Sequence, residues 1–569
     1  MKPWWEKYPE RLDFEIQELK DAGILCEQDK TALAEGTVVL HLVADVVDHP
    51  GLKLKVVYPE FYPEFPFEIE SVDLALPHHQ NPFAKNLCFL DNPGENWDGA
   101  NDTVARFIQD RLPKVLIAGN SDQKNDLESP RSEPFSNFIR FSQESIIFID
   151  SAWSIKSDVS SGKLLMGLNM QPNTAAFRGS VLEVQDRDNN VIASADDEIK
   201  NICQKKLTCR WVRFDQPPVS DDLKEIFLEA VSRDSRLGSK PLQNQFNVDI
   251  IGILFPEETK WREKGDGWIF IVRTFEKGKV YPLLVRGGRA GRRDLQGRNP
   301  SLRGIENKKI SVFGLGCLGA FSALEFARCG VGELRLLDDD HVEPGTTVRW
   351  PFGLQTAAGR NKSSLLANII AADYPFTIAA HSVCRLGRAH WSPNDNRGPN
   401  ERDICKQMLD GVDLVYDATA EITVNRVLSS LAAERGIPYI LVAGTPGMWG
   451  GRVVRILPSE NRGCWACYRH ATQERVIPTP ISDEINGTIA PEGCRAPTFT
   501  GTNFDASEIS MAGVRMAVST LMRDVDGGYP SIGWDVAVVN LRDESGAAIP
   551  PQWSTHQLAK QPKCHCNGK

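Results

Sequence analysis

Several groups of side chains in this 569-residue sequence have the types and spacing to do chemistry. The first opens Lys308-Lys309-Ile310-Ser311-Val312-Phe313-Gly314-Leu315-Gly316-Cys317-Leu318-Gly319. A short apolar, β-branched run meets a Gly-x-Gly-x-x-Gly turn, and a helical pattern follows from Ala320 to Cys329. Gly314 permits the tight turn, Gly316 lets a phosphate reach the backbone, and Gly319 lets the helix pack close to the strand. The N-terminus of that helix offers N–H groups and partial positive charge to a polyphosphate. A second strand pattern, Glu333 to Leu337, ends in Asp338-Asp339-Asp340. Asp338 follows at about the 20-residue spacing where such units place the acid that bonds a ribose hydroxyl. Strand, glycine turn, helix, strand and acid in this order predict a nucleotide site.

Arg349 and Lys362 then narrow the nucleotide. A nicotinamide site asks little of the chain after the ribose acid. Two fixed cations beyond a mononucleotide cradle instead suit an ATP whose α-phosphate is attacked, because charge on the departing pyrophosphate must be stabilised. Two solvated surface cations are the plain alternative. Here the sequence resembles the ubiquitin-activating and sulfur-carrier adenylyltransferase family, which carries the glycine turn, Asp-x-Asp, an arginine and then a lysine. Asp338, Asp340, Arg349 and Lys362 stand at those positions, and the resemblance covers about residue 303 to the C-terminus. It implies ATP and Mg2+ as cofactors. Two positions depart from the pattern. Thr346 replaces the asparagine that usually precedes the arginine. In Asp417-Ala418-Thr419-Ala420-Glu421, Ala420 takes the place of the magnesium-binding aspartate, which leaves Asp417 or Glu421 to hold the metal.

The thiols make up the remaining groups. Cys464-Trp465-Ala466-Cys467 and Cys564-His565-Cys566 are two close pairs, able together to give four thiolates to one tetrahedral zinc and so pin the C-terminus to the core. A redox pair at Cys464 and Cys467, and a disordered tail at the second pair, are the alternatives. Cys494 lies between glycine and proline in Pro491-Glu492-Gly493-Cys494-Arg495-Ala496-Pro497, which predicts a loop, and Arg495 would favour its thiolate. Ubiquitin-activating relatives carry their thioester cysteine in a loop at this point in the chain. The resemblance therefore implies that Cys494 accepts an acyl group; an inert loop thiol is the alternative. Cys88, in Asn86-Leu87-Cys88-Phe89, follows His79 and Asn81. A surface thiol beside an amide donor can hold a thioester and stabilise the oxyanion formed when a lysine attacks. Taken alone, Cys88 reads more plainly as a buried apolar cysteine. Its surroundings reverse that reading. The proline-spaced edge from Tyr58 to Phe67, His78-His79-Gln80-Asn81 and Trp97 resemble the ubiquitin-conjugating enzymes over about residues 10–120, with Gln80 replacing the proline of their His-Pro-Asn turn.

The elements that must position these groups follow a multidomain α/β plan. Residues 1–120 predict an α+β ubiquitin-conjugating-like domain. It has an amphipathic helix over 9–22, strands over 37–44 and 52–58, an extended edge too rich in proline to be helix, and a closing helix over 103–117. Residues 121–300 hold a linker and a bridging α/β domain. The polar stretch 120–134 reads as the linker. Strands over 145–149, 164–168 and 181–184 and an amphipathic helix over 221–231 carry no chemical signature. The basic run Arg286 to Arg293 reads as a solvated loop; the resemblance to the adenylating family implies the alternative of an arginine reaching an ATP across a dimer. Residues 301–569 predict a Rossmann-like ATP-binding adenylation domain, with further strands over 413–417 and 439–442 and a helix over 506–522.

With 65 basic and 75 acidic residues the net charge is −10, so nucleic acid is not an expected partner. No apolar run is long enough to span a membrane, and the first residues lack an apolar signal core. The 13 cysteines of a chain without a signal suit a reducing cytoplasm, where thiols serve metal or catalysis. As a whole the sequence resembles the conjugating–activating fusion enzymes of bacterial CBASS antiphage operons. That resemblance implies that the C-terminus of a cGAMP-synthase-like nucleotidyltransferase (CD-NTase) is the substrate, and that the enzyme is a homodimer formed through the adenylation domain. It would be activated with ATP, passed to Cys494 and then Cys88, and joined to target lysines. Two other classes stay open: an adenylyltransferase for sulfur transfer with the N-terminal domain as a binding module, and a nicotinamide oxidoreductase or inactive scaffold.

Overall fold

The computed structural model describes residues 2–90, 92–120, 132–169, 175–203, 205–238, 245–387, 400–458, 462–489 and 498–568. The chain divides into two compact units. One comprises Met1–Ala195 with Cys203–Ala290; the other comprises Asp196–Ile202 with Gly291–Lys569.

The first unit begins with the helix Pro9–Asp21, whose proline sits at the first turn, where its missing N–H costs no hydrogen bond. An antiparallel sheet follows in spatial order β1 (Leu25–Gln28), β2 (Val39–Val46), β3 (His49–Val57) and β4 (Glu68–Glu70). Along β2, Leu40, Leu42 and Ala44 are buried while His41 and Val43 face outward, the period of two of a half-buried strand. The proline-spaced edge lies between β3 and β4. Its rings Tyr58, Tyr62 and Phe67 join Trp4, Leu19 and Phe107 in one core. Glu15 is buried in that core and accepts from the hydroxyls of Tyr58 and Tyr62 and from the Val104 N–H. Burial pushes its carboxyl above the usual range despite these donors. The closing helical stretch runs from Val104 to Asn120, with a π-helical turn at Phe107–Arg111.

The same unit continues through β5 (Ile146–Ile149), β6 (Ser161–Leu168), β7 (Arg178–Gln185), β8 (Val191–Ser194), β9 (Lys205–Arg213), β10 (Val248–Lys260), β11 (Glu263–Glu276) and β12 (Lys279–Arg289). Their order is β5-β12-β11-β10-β9-β6-β7-β8, and β5 also pairs with β7, so the sheet closes on itself. One face of β10 gives Ile250 and Leu254 to a core with Trp211 and Phe270. The other gives Ile251, Ile253 and Phe255 to a core under the helix Leu223–Arg233. This segment is richer in strand than the sequence suggests. β10 and β11 are buried on both faces, so they read as continuous apolar runs without the alternation that marks a strand. The basic run is no loop: Arg286 to Arg289 end β12 in register with β5. Arg292, in the second unit, starts a short helix, stacks over Phe376 and pairs with Glu198 at 2.7 Å.

The second unit is built on β13 (Lys309–Phe313), β14 (Glu333–Leu337), β15 (Ile378–Ser382), β16 (Leu414–Asp417), β17 (Tyr439–Gly444) and β18 (Gly450–Ile456). A small ladder, β19 (Thr488–Ile489) with β20 (Thr498–Phe499), precedes β21 (Val536–Arg542) and β22 (Ala548–His556). The main sheet runs β15-β14-β13-β16-β17-β18-β21-β22, parallel as far as β17 and antiparallel beyond. Strand order reverses about β13, and a crevice at the carboxyl ends of such a switch point is where open α/β sheets bind ligands. Among the described residues, no helix is long and apolar enough to cross a membrane.

Candidate functional site

At the carboxyl end of β13 the chain turns at Gly314 with φ +81°. A Cβ there would lie 2.8 Å from the Thr419 amide nitrogen, and one on Gly319 would lie 1.9 Å from the Gly314 carbonyl oxygen. Gly314 and Gly319 are therefore required by the fold itself. Gly316 differs: a Cβ would meet nothing within 4 Å, so the backbone faces open space that a ligand can enter. The buried Trp350 donates its indole N–H to the Leu315 carbonyl at 3.0 Å and holds the turn down.

Asp338 follows β14 and accepts from the Leu315 N–H at 2.6 Å and the Asp340 N–H at 2.8 Å. Burial pushes its carboxyl above the usual range, against the pull of Lys362. Lys362 opens the helix Lys362–Asp373, capped by the Asn361 side chain, and its Nζ lies 3.0 Å from Asp340 Oδ2. Burial raises the thiol of Cys317, inside the glycine turn, while Arg349 and Lys362 both act on it to lower it. Both cations are thus within electrostatic reach of the turn. Arg349 also donates to the Thr498 hydroxyl at 2.8 Å and to the Phe499 carbonyl, so it ties β20 to the cradle.

Asp417 requires a correction. The sequence leaves it open as a magnesium ligand, but it is wholly buried at the end of β16. Its Oδ1 accepts from the Thr419 N–H and hydroxyl at 3.0 and 2.7 Å; its Oδ2 accepts from Asn425 and Tyr439 at 2.9 and 2.7 Å. Four donors use the lone pairs of a carboxylate, so Asp417 braces the loop after β16 and has none left for a cation. Glu421, the other candidate, is exposed just before the helix Ile422–Glu434. The oxygens of Asp338, Asp339 and Asp340 also lie within 4.8 Å of one another.

The paired cysteines come together. Cys464 Sγ lies 3.5 Å from Cys564 Sγ and 3.9 Å from Cys467 Sγ, and Cys467 Sγ lies 3.4 Å from Cys566 Sγ. A disulfide would need about 2.05 Å. A tetrahedron with Zn–S bonds of about 2.3 Å has S···S edges of about 3.8 Å, the size seen here. The Gln561 N–H donates to Cys467 Sγ at 3.3 Å, as a thiolate in a metal site asks.

Cys88 is exposed, at the end of a tight reversal. Its N–H donates to the His79 carbonyl at 2.8 Å, the Asn81 N–H donates to the Asn86 carbonyl at 2.9 Å, and Gln80 bridges Leu87. The Asn81 side-chain oxygen accepts from Phe83 and Ala84, which shapes the tip. Sequence reading treats Gln80 only as a missing proline. In the fold it is 4% exposed, accepts from the Leu76 N–H at 2.9 Å and donates to the Ser71 carbonyl at 2.9 Å. Nothing in the sequence around Gln80 signals this, because its partners are backbone groups brought near by the turn. Cys494 lies outside the described residues, in the stretch that β19 and β20 bracket.

Comparison with known proteins finds two family matches in different parts of the chain. Residues 293–521 match the ThiF family, and residues 18–148 match the prokaryotic E2 family B. Over 592 residues the chain is 29% identical to the uncharacterized protein y4oA of Sinorhizobium fredii, covering 99% of this chain and 97% of that one. It is 28% identical over 217 residues to the ATP-dependent ubiquitin transferase-like protein Cap2 of Enterobacter hormaechei, covering 36% and 31% of the two chains. It is also 24% identical over 173 residues to the molybdopterin-synthase adenylyltransferase of Salmonella typhimurium, covering 30% and 63%.

Proposed function

We infer, from a chain that joins a prokaryotic E2 family B domain to a ThiF-family domain and so is a ubiquitin-like activating and conjugating enzyme, that it carries one protein carboxylate through both stages itself. The observation that carries this reading is the coexistence of an open glycine cradle, with Lys362 and Arg349 in reach, and an exposed Cys88 on a pinned reversal. In the first step a C-terminal carboxylate oxygen attacks the α-phosphorus of ATP, and the bond to pyrophosphate breaks. Asp338 suits the ribose, while Lys362 and Arg349 suit the charge on the departing phosphates. Mg2+ would lie with the phosphates, near Asp338 to Asp340 or Glu421.

Cys494 thiolate then attacks the acyl carbon and releases AMP. Cys88 thiolate displaces Cys494 in an exchange of one thioester for another. A lysine amine attacks the acyl group on Cys88, loses a proton and leaves an amide and the Cys88 thiolate. Thioester exchange is nearly isoenergetic, so direction comes from adenylate consumption at one end and amide formation at the other. The Cys464, Cys467, Cys564 and Cys566 cluster suits zinc as a structural ion. The similarity to the ubiquitin transferase-like protein Cap2 supports a protein as the substrate. The resemblance to the CBASS fusion enzymes puts forward the C-terminus of a CD-NTase as that protein, in antiphage defence, with the enzyme acting as a cytoplasmic homodimer.

A non-reducing gel with ATP and the candidate nucleotidyltransferase tests the relay. Cys494→Ala should keep pyrophosphate exchange yet form no thioester on Cys88. Cys88→Ala should accumulate a reducible adduct on Cys494 and no product. A thioester on Cys88 in the Cys494→Ala protein would show that no relay exists.

A further inference from the structure

We propose that Glu133 is a positioning residue for acyl transfer at Cys88, acting through the backbone of His79 and braced by Glu258 of β10. The proposal rests on Cys88 being the acyl-carrying thiol. His79 has φ +60°, in the left-handed region that a non-glycine residue occupies only when its surroundings hold it there. What holds it is visible on both sides of the residue. Its N–H donates to both carboxylate oxygens of Glu133, at 2.9 and 3.2 Å, and its Nδ1 lies 3.4 Å from Glu133 Oε1. Its carbonyl accepts the N–H of Cys88 at 2.8 Å. A single residue with left-handed backbone thus links a carboxylate to the nucleophile's own amide.

Glu133 does not float. Its N–H donates to Glu258 Oε2 at 2.9 Å, and the same carboxylate lies 3.7 Å from His78 Nδ1. The aromatic chain Phe83, Phe135, Phe255 runs beside it, with centroids 5.4 and 6.1 Å apart, from the tip of the Cys88 reversal to β10. The closed sheet therefore serves as the rigid body against which the reversal is set. Aminolysis needs the thioester carbonyl and the amine in near-attack geometry, and a displacement of about 1 Å costs about 100-fold. Bonds to the charged carboxylate are roughly twice as strong as neutral ones, which suits a bond that must hold a strained residue.

The test uses the full chain, acylated from the mercaptoethanesulfonate thioester of N-acetylglycine, with the Cys88 adduct followed by peptide mass mapping during discharge onto free lysine. Glu133→Ala should slow discharge about 10- to 100-fold with the KM for lysine unchanged. Glu133→Gln keeps a carbonyl acceptor for the His79 N–H and should stay within about tenfold of wild type. Glu258→Ala, which removes the brace together with the contacts of Glu258 to the Arg262 N–H and to His78, should fall between them. Wild-type discharge in Glu133→Ala overturns the proposal. So does an equal loss in Glu133→Ala and Glu133→Gln accompanied by a lowered thermal midpoint, which marks a merely structural role. Conjugation that persists in Cys88→Ala instead removes the reading of Cys88, and this proposal falls with it.

Discussion

Replacing Lys362 by alanine tests the nucleotide site most directly. Its side chain is 13% exposed, and its backbone is fixed as the first residue of a capped helix, so its charge is placed before any ligand arrives. A unit charge about 4 Å from a phosphate oxygen, at an effective dielectric of about 20, interacts with about 4 kcal/mol. Much of that is felt already by the bound triphosphate and accelerates nothing. The share gained as charge builds on the departing pyrophosphate is about 2.7 kcal/mol, the low end for one preorganised donor. At about 1.36 kcal/mol per decade, this predicts a loss of about 100-fold. The assay is carboxylate-dependent exchange of pyrophosphate into ATP, with Lys362→Arg as the variant that keeps the charge and recovers part of the rate. Folding should barely change, because Asp340 is 66% exposed and an ion pair so open to solvent contributes about 0–1 kcal/mol. Wild-type exchange in a folded Lys362→Ala protein would refute the assignment. A variant that fails to fold would refute the assumption that the lysine is held ready rather than holding the structure.

Two other outcomes follow from the geometry. Elemental analysis should find about one zinc per chain, and the Cys464→Ser, Cys467→Ser double variant should lose both metal and thermal stability, since structural zinc binding is folding free energy; metal-free wild-type protein of full stability would dismiss the site. Gly319→Ala and Gly316→Ala should part company. The first drives a Cβ to 1.9 Å from a backbone oxygen and should cost about 1–3 kcal/mol of stability. The second meets open space, so it should leave the thermal midpoint alone and weaken ATP binding; equal behaviour of the two would show that the cradle does not face a ligand.

The sequence alone determined the parts whose chemistry is local. A glycine turn needs particular residues at particular offsets along one strand and one helix, so Gly314, Gly316, Gly319 and Asp338 were legible in one dimension. The pairing of Cys464 and Cys467 with Cys564 and Cys566 was also legible, because two close pairs together offer the four thiolates that one tetrahedral ion asks for. The tertiary structure alone decided what depends on partners distant in sequence. Asp417 has the type and the strand-end place of a metal ligand, yet Tyr439 reaches it only once β16 and β17 lie side by side, Asn425 reaches it from the helix after β16, and with Thr419 they use up its oxygens. Gln80 looked like a lost proline until burial gave its amide three backbone partners, on Leu76, Ser71 and Lys85. Glu133 and Glu258 carried no signal at all, because a carboxylate becomes a brace only when folding brings His79 and Cys88 beneath it. Backbone hydrogen bonds are made by every residue type, so the sequence does not mark where they converge.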